Sequence, residues 1–418
     1  MTKLKIQLLT AFLFVATASF AGKPTKISWH FDSFFDNQIY PSYSWAVSQL
    51  GNEASGNSAG NFYGDANGQM GAMFDELKAK TKVRIVVESP EIMETSELSF
   101  EMAVTRQDFY AYPQIIYKWQ NLSTWRQPRP VSILITVYVN DKLVSSQNKI
   151  MQVRSINDCP YIAITNKSVM LDLNYVYTSY VNENHPIITD SIIPGIIKEG
   201  IIKKITGYQG STDDVYLQVY AVWDYFNKHN FSYSSLNSYF KGDIQKFPHV
   251  SAQYVRTFEE IFHTRQANCV EGTVLMASIL MRMGIKPFLI TTPSHCYLGF
   301  DIDGTGQSTS FVETTLLGED LSSTDTASQS VCRNYNLTEY DTYLRLTSFG
   351  KNTYDNFIWA LLVGSGNWTK DADKYDEANE GAVEIVTLEN VNETFAKFNY
   401  QKISVVKYRE LGLLPINH

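Results

Sequence analysis

Three residues that could carry out catalysis, Cys269, His295 and Glu313, follow one another within residues 266–316. A thiolate is a strong nucleophile, and an imidazole can take its proton and later return it. A carboxylate can orient the imidazole and stabilise its charged form. Side chains of these types in this order are typical of covalent catalysis by a thiol, in which a thioester forms with an acyl group. Whether they can act together depends on the elements that carry them.

The residues around Cys269 predict the beginning of a helix. Asn268 is a favourable N-cap residue, and Glu271 follows it at the spacing of a capping box. Cys269 is therefore predicted to be the first helical residue. The helix is apolar on nearly all sides and ends at Gly284, so we expect it to be buried and central. A helix N-terminus and a nearby imidazolium each lower the pKa of a thiol.

His295 and Glu313 are predicted to lie on two neighbouring antiparallel strands. His295 begins an alternating segment, and Glu313 follows a turn at residues 301–306 in the returning strand. Side chains of two adjacent strands can lie side by side. The hairpin therefore predicts that the carboxylate can orient the imidazole.

Each of these residues also has a simpler interpretation. A buried cysteine is more often a small apolar residue, a histidine at a strand start is usually a hydrogen-bonded polar residue, and a strand glutamate is often exposed. A metal site made of Cys269, His295 and Cys296 is disfavoured, because neighbouring strand residues point to opposite faces. A calcium loop beginning at Asp301 is also disfavoured, since Val312 occupies the position of its last carboxylate ligand, and a plain turn is predicted instead.

These local sequences resemble those of the transglutaminase-like superfamily of papain-type thiol enzymes. The resemblance covers about residues 205–418 and is most specific in residues 266–316. The matching segments are Asn-Cys-Val-Glu-Gly at the nucleophile helix, Met-Gly-Ile-Lys-Pro at the following strand, Ser-His-Cys-Tyr at the histidine strand and Val-Glu-Thr-Thr at the acid strand.

The resemblance implies an α+β fold in which a nucleophile helix packs on an antiparallel sheet. It implies that Cys269 is the nucleophile, that His295 is the general base and acid, and that Glu313 is the orienting acid. Such sites also need donors for the developing oxyanion, and the candidates are the backbone amide of Cys269 and the side chain of Gln266. The family commonly has aspartate in place of Glu313 and tryptophan in place of Tyr297. The longer glutamate requires a different backbone separation from the histidine.

The length of 418 residues exceeds what one hydrophobic core usually organises, so two or three domains are expected. Alternating β-branched runs, with Asn140-Asp141 as a turn, predict a hairpin within an antiparallel β-sandwich-like domain. We predict a signal peptide at residues 1–21, an aromatic- and Gly/Asn-rich segment at 22–80, a β-sandwich-like domain at 81–165, a helical connector at 166–205 and a transglutaminase-like domain at 206–418.

The first 21 residues have the pattern of a cleavable secretory signal. Lys3 and Lys5 precede an apolar run, and Ala-Ser-Phe-Ala at residues 18–21 places small residues at the cleavage site. The run is shorter than the roughly 20 residues that a membrane span needs. We therefore expect a secreted or periplasmic protein without stable membrane insertion.

The charge and the cysteine content exclude several classes of protein. A net charge of −8 argues against a nucleic-acid partner. Four cysteines are too few for a disulfide framework in a chain of this size, and one pair, for instance Cys159 with Cys332, leaves Cys269 as a thiol. Nothing in the sequence predicts a cofactor.

The sequence thus favours an exported thiol enzyme that hydrolyses or transfers the acyl group of a peptide or amide bond. Its predicted partner is a peptide or protein substrate. The alternative is a binding or assembly module that keeps the fold and has lost the reaction.

Overall fold

The chain belongs to the mixed α+β class, with several separate sheets. The predicted signal peptide and Cys332 lie outside the residues that can be described. No helix in the described part is long and apolar enough to cross a membrane. The computed structural model describes residues 27–50, 60–235, 244–318, 353–377 and 381–416.

Two sheets in the N-terminal part pack face to face around one hydrophobic core. Phe74 and Phe109 reach this core from the first sheet, and Ile85 and Ile133 reach it from the second. In spatial order the first sheet consists of β1 (Trp29–Ser33), β4 (Met70–Leu77), β7 (Arg106–Tyr112) and β3 (Phe62–Gly64). The second consists of β2 (Gln38–Ile39), β9 (Lys142–Val153), β8 (Arg129–Val139), β5 (Lys82–Glu88) and β6 (Ser96–Glu101).

The predicted hairpin at Asn140-Asp141 is confirmed. β8 and β9 pair antiparallel along their lengths, and Asn140 and Asp141 connect them with φ angles of 49° and 63°. Positive φ at both central residues matches the right-handed twist of the flanking strands. Asparagine and aspartate tolerate this conformation better than other residues with side chains.

The packing divides the chain differently from the predicted ranges. β1, β3 and β4 fall within residues 22–80, yet they form a sheet with β7 of the β domain. The strand β10 (Asp158–Ile164), predicted to end the β domain, packs instead into the second core with the C-terminal part. Both differences arise from pairing between segments far apart in sequence.

The second core contains two further four-stranded sheets and most of the helices. One sheet has the spatial order β13 (His249–Tyr254), β10, β11 (Val169–Asp172) and β18 (Val383–Ile385). The other has the order β17 (Thr309–Val312), β16 (His295–Asp301), β15 (Pro287–Thr292) and β19 (Gln401–Ser404). A short parallel pair consists of β12 (Ser232–Tyr233) and β14 (Gln266–Ala267).

The helices of the described residues differ in length from one turn to seven. The α-helices are α1 (Pro41–Val47), α2 (Trp119–Leu122), α3 (Ile193–Glu199), α4 (Thr212–Lys228), α5 (Phe258–Thr264), α6 (Cys269–Arg282), α7 (Thr353–Glu377), α8 (Val391–Phe398) and α9 (Val405–Glu410). Shorter helical turns are Asn174–Tyr180, Ile187–Ile192 and Thr314–Leu316.

The central helix of the second core is α6, as predicted. Val274, Ile279 and Leu280 are fully buried, and the helix packs on β15 and β16. Gly284 follows the helix with a φ of +79°, a conformation in which glycine avoids the strain of a side chain. Burial on nearly all sides fixes the direction of the helix and hence the position of its first residue.

Candidate active site

The N-terminus of α6 presents Cys269 at its first position, behind a complete capping box. The Asn268 side chain accepts a hydrogen bond from the backbone N–H of Glu271 at 3.0 Å, and Glu271 accepts one from the backbone N–H of Asn268 at 2.9 Å. The predicted cap is therefore confirmed. The cap satisfies two of the helix's unpaired N–H groups and leaves the first turn well defined around the thiol.

A buried ion pair joins this cap to Arg256, which lies just after β13. The Glu271 carboxylate is fully buried and receives Arg256 Nε at 2.9 Å and Nη2 at 2.7 Å. The backbone N–H of Arg256 donates to the same carboxylate at 3.0 Å, and Nη2 also donates to the carbonyl of Gln266 at 2.9 Å. Arg256 therefore holds the chain on both sides of Cys269, at Gln266 before it and at Glu271 after it.

His295, the first residue of β16, connects the thiol with the carboxylate. Its Nε2 lies 2.7 Å from Glu313 Oε2, and its ring is also hydrogen-bonded to the Cys269 side chain. Because Nε2 is engaged by the carboxylate, Nδ1 is the nitrogen that faces the sulfur. The structure thus brings the three predicted site residues into one contiguous chain of hydrogen bonds.

The contacts of His295 favour its charged form. Burial by itself lowers the pKa of the imidazole, but the hydrogen bonds to Cys269 and Glu313 outweigh it and raise the pKa to about 10. The ring is therefore an imidazolium at neutral pH when the partner groups are in place.

This raised pKa predicts a pH-dependent contribution to stability. A pKa higher in the folded than in the unfolded chain stabilises the protein fully below the unfolded value of about 6.5, and the effect is lost as the pH rises through about 10. We therefore compare the free energy of unfolding of the unmodified protein with that of a His295→Gln variant. The difference, unmodified protein minus variant, should fall between pH 6 and pH 10. Urea unfolding at several pH values measures this difference.

The matched control is His263→Gln, which removes an exposed histidine on α5. Its stability relative to the unmodified protein should show no comparable fall over the same pH range. A His295→Gln difference that stays constant or grows with pH would contradict the assignment of an imidazolium in the folded protein.

Glu313 lies just past the strand in which the sequence places it. β17 ends at Val312, and Glu313 caps the short helical turn Thr314–Leu316. Its Oε1 accepts hydrogen bonds from the backbone N–H of Thr315 at 3.0 Å and from the Thr315 hydroxyl at 2.7 Å. The chain turns here because this carboxylate satisfies an N–H group at the start of the turn.

A fourth contact to Glu313 comes from a distant helix. Asn367 Nδ2, in α7, donates to Glu313 Oε2 at 3.0 Å. The same oxygen therefore receives both His295 and Asn367, while Thr315 holds the other oxygen. These contacts hold the longer glutamate side chain, which is 3% exposed, in the position where it meets the histidine. Sequence reasoning missed Asn367, because nothing local connects it with residues 266–316.

A scan against protein-family models found no match for this chain, and a search of the curated proteins found none either. The functional argument therefore rests on the geometry of the site.

The cavity beside Cys269 has a volume of about 180 Å³. Apart from Cys269 and His295, the lining holds no Asp, Glu, Lys or Arg, and it includes Tyr177, Tyr233 and Asn268. Such a cavity suits a small, neutral polar group, because burying a charge without a partner is costly.

The structure separates Gln266 from this cavity. Gln266 is exposed in β14 and is not among the residues that line the cavity. Gln253, a buried residue of β13, lines the cavity together with Cys269, and its Nε2 donates to the carbonyl of Tyr254 at 2.9 Å. The only sequence signal for Gln253 is an amide in a strand that precedes the helix, which is too weak to select it.

The residues that follow His295 support the site from the two faces of β16. Cys296 is 2% exposed and packs in the second core, and burial raises its pKa well above the usual value. Tyr297 stacks on His295 with ring centroids 5.9 Å apart, and its hydroxyl lies 3.1 Å from that of Tyr375. Tyr297 is therefore a buried aromatic ring that contacts the imidazole.

The alternatives involving metals are not favoured by the geometry. Among the described residues, no group of three or more His, Cys, Asp and Glu side chains is arranged to hold a metal ion. The Asp301 carboxylate instead accepts hydrogen bonds from the backbone N–H groups of Asp303, Gly304 and Gly306. These bonds are those of a plain turn between β16 and β17.

Proposed function

We propose that this chain is a thiol enzyme that hydrolyses or transfers the acyl group of an amide or peptide bond. The observation that carries the proposal is the chain of contacts from Cys269 through His295 to Glu313. Cys269 stands at the capped start of a buried helix, its side chain meets the imidazole, and the other ring nitrogen lies 2.7 Å from a buried carboxylate. A nucleophile, a base and an orienting acid in this order are the requirements of covalent acyl transfer.

The first half of the reaction forms a thioester. Cys269 reacts as the thiolate, with its proton already held by the His295 imidazolium; the sulfur bonds to the carbonyl carbon, and the electron pair of the C=O double bond moves to the oxygen. The backbone N–H of Cys269 and the Gln253 amide, which lines the same cavity, are the donors proposed for this oxyanion. His295 then gives the proton to the leaving nitrogen as the carbon–nitrogen bond breaks.

The second half releases the acyl group. Water or an amine gives a proton to His295 as it attacks the thioester carbon, and the carbon–sulfur bond then breaks to leave the thiolate beside the imidazolium. Glu313 keeps the ring oriented throughout and stabilises its positive charge. A cavity lining without Asp, Glu, Lys or Arg is compatible with a peptide or carboxamide group as the acyl donor.

Two broader proposals accompany this function. The helix that begins with the thiol and packs on the sheet of β15, β16 and β17 supports a relationship with the transglutaminase-like, papain-type enzymes. The pattern of residues 1–21 supports export through a cleavable signal peptide, to the periplasm or out of the cell.

Acylation by an activated ester tests the proposed nucleophile. The intact protein is treated with p-nitrophenyl acetate at neutral pH, and the acetylated residue is located by mass spectrometry. We expect one acetyl group on Cys269 and continuing release of p-nitrophenol as the thioester is hydrolysed. Cys269→Ser should lose both signals.

Cys159→Ala is the matched control, since it removes a fully buried thiol far along the chain from the nucleophile. It should acylate at the rate of the unmodified protein. Acylation of Cys269 no faster than that of free cysteine would contradict the enzyme proposal and favour the binding or assembly module.

A further inference from the structure

A second cleft lies away from the thiol, between the N-terminal β domain and the turn that joins β10 to β11. Its volume is about 510 Å³, which is within the usual range for small-ligand sites. Aromatic rings of Phe62, Tyr110 and Tyr112 line one side, and Asn166 and Lys167 of the turn line the other.

The aromatic side is the outward face of the first sheet. Phe62 pairs with Tyr110 across β3 and β7, and the Tyr110 and Tyr112 side chains share one face because strand residues alternate. Phe62 and Tyr110 are half-buried and belong to none of the hydrophobic cores of the described residues. Their rings therefore border the cleft without being needed to fill the sandwich.

Close packing within the sheet makes this side flat. A Cβ atom on Gly71 would come within 2.3 Å of the Tyr112 ring, so glycine at this position lets the ring lie across β4. The Tyr112 hydroxyl then reaches the neighbouring β1 and donates a hydrogen bond to the Asp32 carboxylate. Phe62 lies beside this ring, with the centroids 5.5 Å apart.

Polar groups complete the lining. Asn166 and Lys167 are exposed on the turn opposite the rings, and Lys167 Nζ lies 4.5 Å from the centroid of the Tyr110 ring. The Asp32 carboxylate lies at the end of the aromatic row. The cleft thus combines ring faces with carboxamides, two carboxylates (Asp32 and Asp36) and two ammonium groups (Lys149 and Lys167), and no single sign of charge predominates.

We propose that this cleft binds a short, uncharged oligosaccharide. A pyranose ring has one face of C–H groups that packs on an aromatic ring, and an edge of hydroxyl groups that both donate and accept hydrogen bonds. The Phe62 ring matches the apolar face, whereas Asp32, Asn166 and Lys167, whose ammonium lies over the Tyr110 ring, match the hydroxyl edge. A purely apolar ligand would make no use of these polar groups, and an ionic ligand would meet charges of both signs.

The cleft is separate from the proposed active site. Tyr161 of β10 lines the cavity at Cys269, and Thr165, four residues further along the chain, lines the saccharide cleft. Four residues of extended chain span about 13 Å. Binding at the cleft can therefore be tested without altering the thiol, His295 or Glu313.

Isothermal titration calorimetry of the intact protein with four tetrasaccharides tests the proposal. The probes are cellotetraose, chitotetraose, xylotetraose and mannotetraose. We expect saturable binding of at least one of them, and a loss of affinity of about tenfold or more in Tyr110→Ala and in Asn166→Ala. Asn166 is exposed, so its replacement tests the cleft even if the tyrosine variant is poorly folded.

Tyr138→Ala is the matched control, because Tyr138 is a partly buried aromatic of β8 outside the cleft. It should bind the selected saccharide with unchanged affinity. Absence of binding for all four probes, or equal affinity for the unmodified protein and the Asn166→Ala variant, would overturn the proposal. Neither result bears on acylation of Cys269, so the two proposals fail independently.

Discussion

Replacement of His295 by glutamine is expected to slow the reaction of Cys269 with iodoacetamide at pH 7 by about 100-fold. Glutamine is similar in size and can still donate a hydrogen bond to Glu313, but it cannot take the proton from the sulfur. Since only the thiolate reacts, loss of the imidazole leaves the nucleophile mostly protonated. The rate is measured by mass spectrometry of the peptide that contains Cys269.

Two internal references accompany this measurement. Cys159 and Cys296 are buried thiols, with exposures of 0% and 2%, and should react slowly in both proteins. The exposed-histidine variant His263→Gln should leave the rate at Cys269 unchanged. Equal rates at Cys269 in the unmodified protein and in His295→Gln would remove the support for a thiol activated by this histidine.

Replacement of Glu271 by glutamine is expected to lower the free energy of unfolding by about 3–5 kcal/mol. The carboxylate is fully buried and receives the Arg256 guanidinium, the Arg256 backbone N–H and the Asn268 backbone N–H. A neutral amide leaves the guanidinium without its counter-charge and offers one acceptor in place of two carboxylate oxygens. Urea unfolding followed by circular dichroism measures the loss.

A double variant distinguishes the effect of the uncompensated charge from the effect of lost packing. Combining Glu271→Met with Arg256→Met removes both charges, so the double variant should be more stable than Glu271→Met alone. Glu389→Gln, at an exposed position, should change the free energy of unfolding by less than about 0.5 kcal/mol. A double variant less stable than the single one would show that the ion pair does not carry the effect.

The elements of the site that depend on neighbouring residues were predictable. The capping box of Asn268 and Glu271, the thiol as first helical residue and the glycine end of α6 are all local, and the structure has them as predicted. The hairpin that follows is also local, apart from the shift of Glu313 out of β17. Such local hydrogen bonds and turns can be predicted from the sequence, because the interacting groups are three to four residues apart or face each other across a short turn.

Long-range pairing limited the prediction of the N-terminal part. The composition of residues 22–80, rich in aromatic residues, glycine and asparagine, predicted no strands, yet Phe62–Gly64 and Met70–Leu77 within this range are strands. Gly71 is needed there because the Tyr112 ring lies against it, and Tyr112 comes from a strand about 40 residues later. A glycine that makes room for a distant ring has the same appearance in sequence as a glycine of a loop.

By itself the sequence determined which residues of the segment can do chemistry, and on which local elements they lie. Only the tertiary structure decided how they are held, with Arg256 on the Glu271 carboxylate of the helix cap and Asn367 on the Glu313 carboxylate. It also decided that Gln253, and not Gln266, lines the cavity beside Cys269. Asn367 is 54 residues from the carboxylate that it contacts. Contacts over such separations form only when the packed core brings the elements together, and no local pattern encodes the angle at which two elements meet.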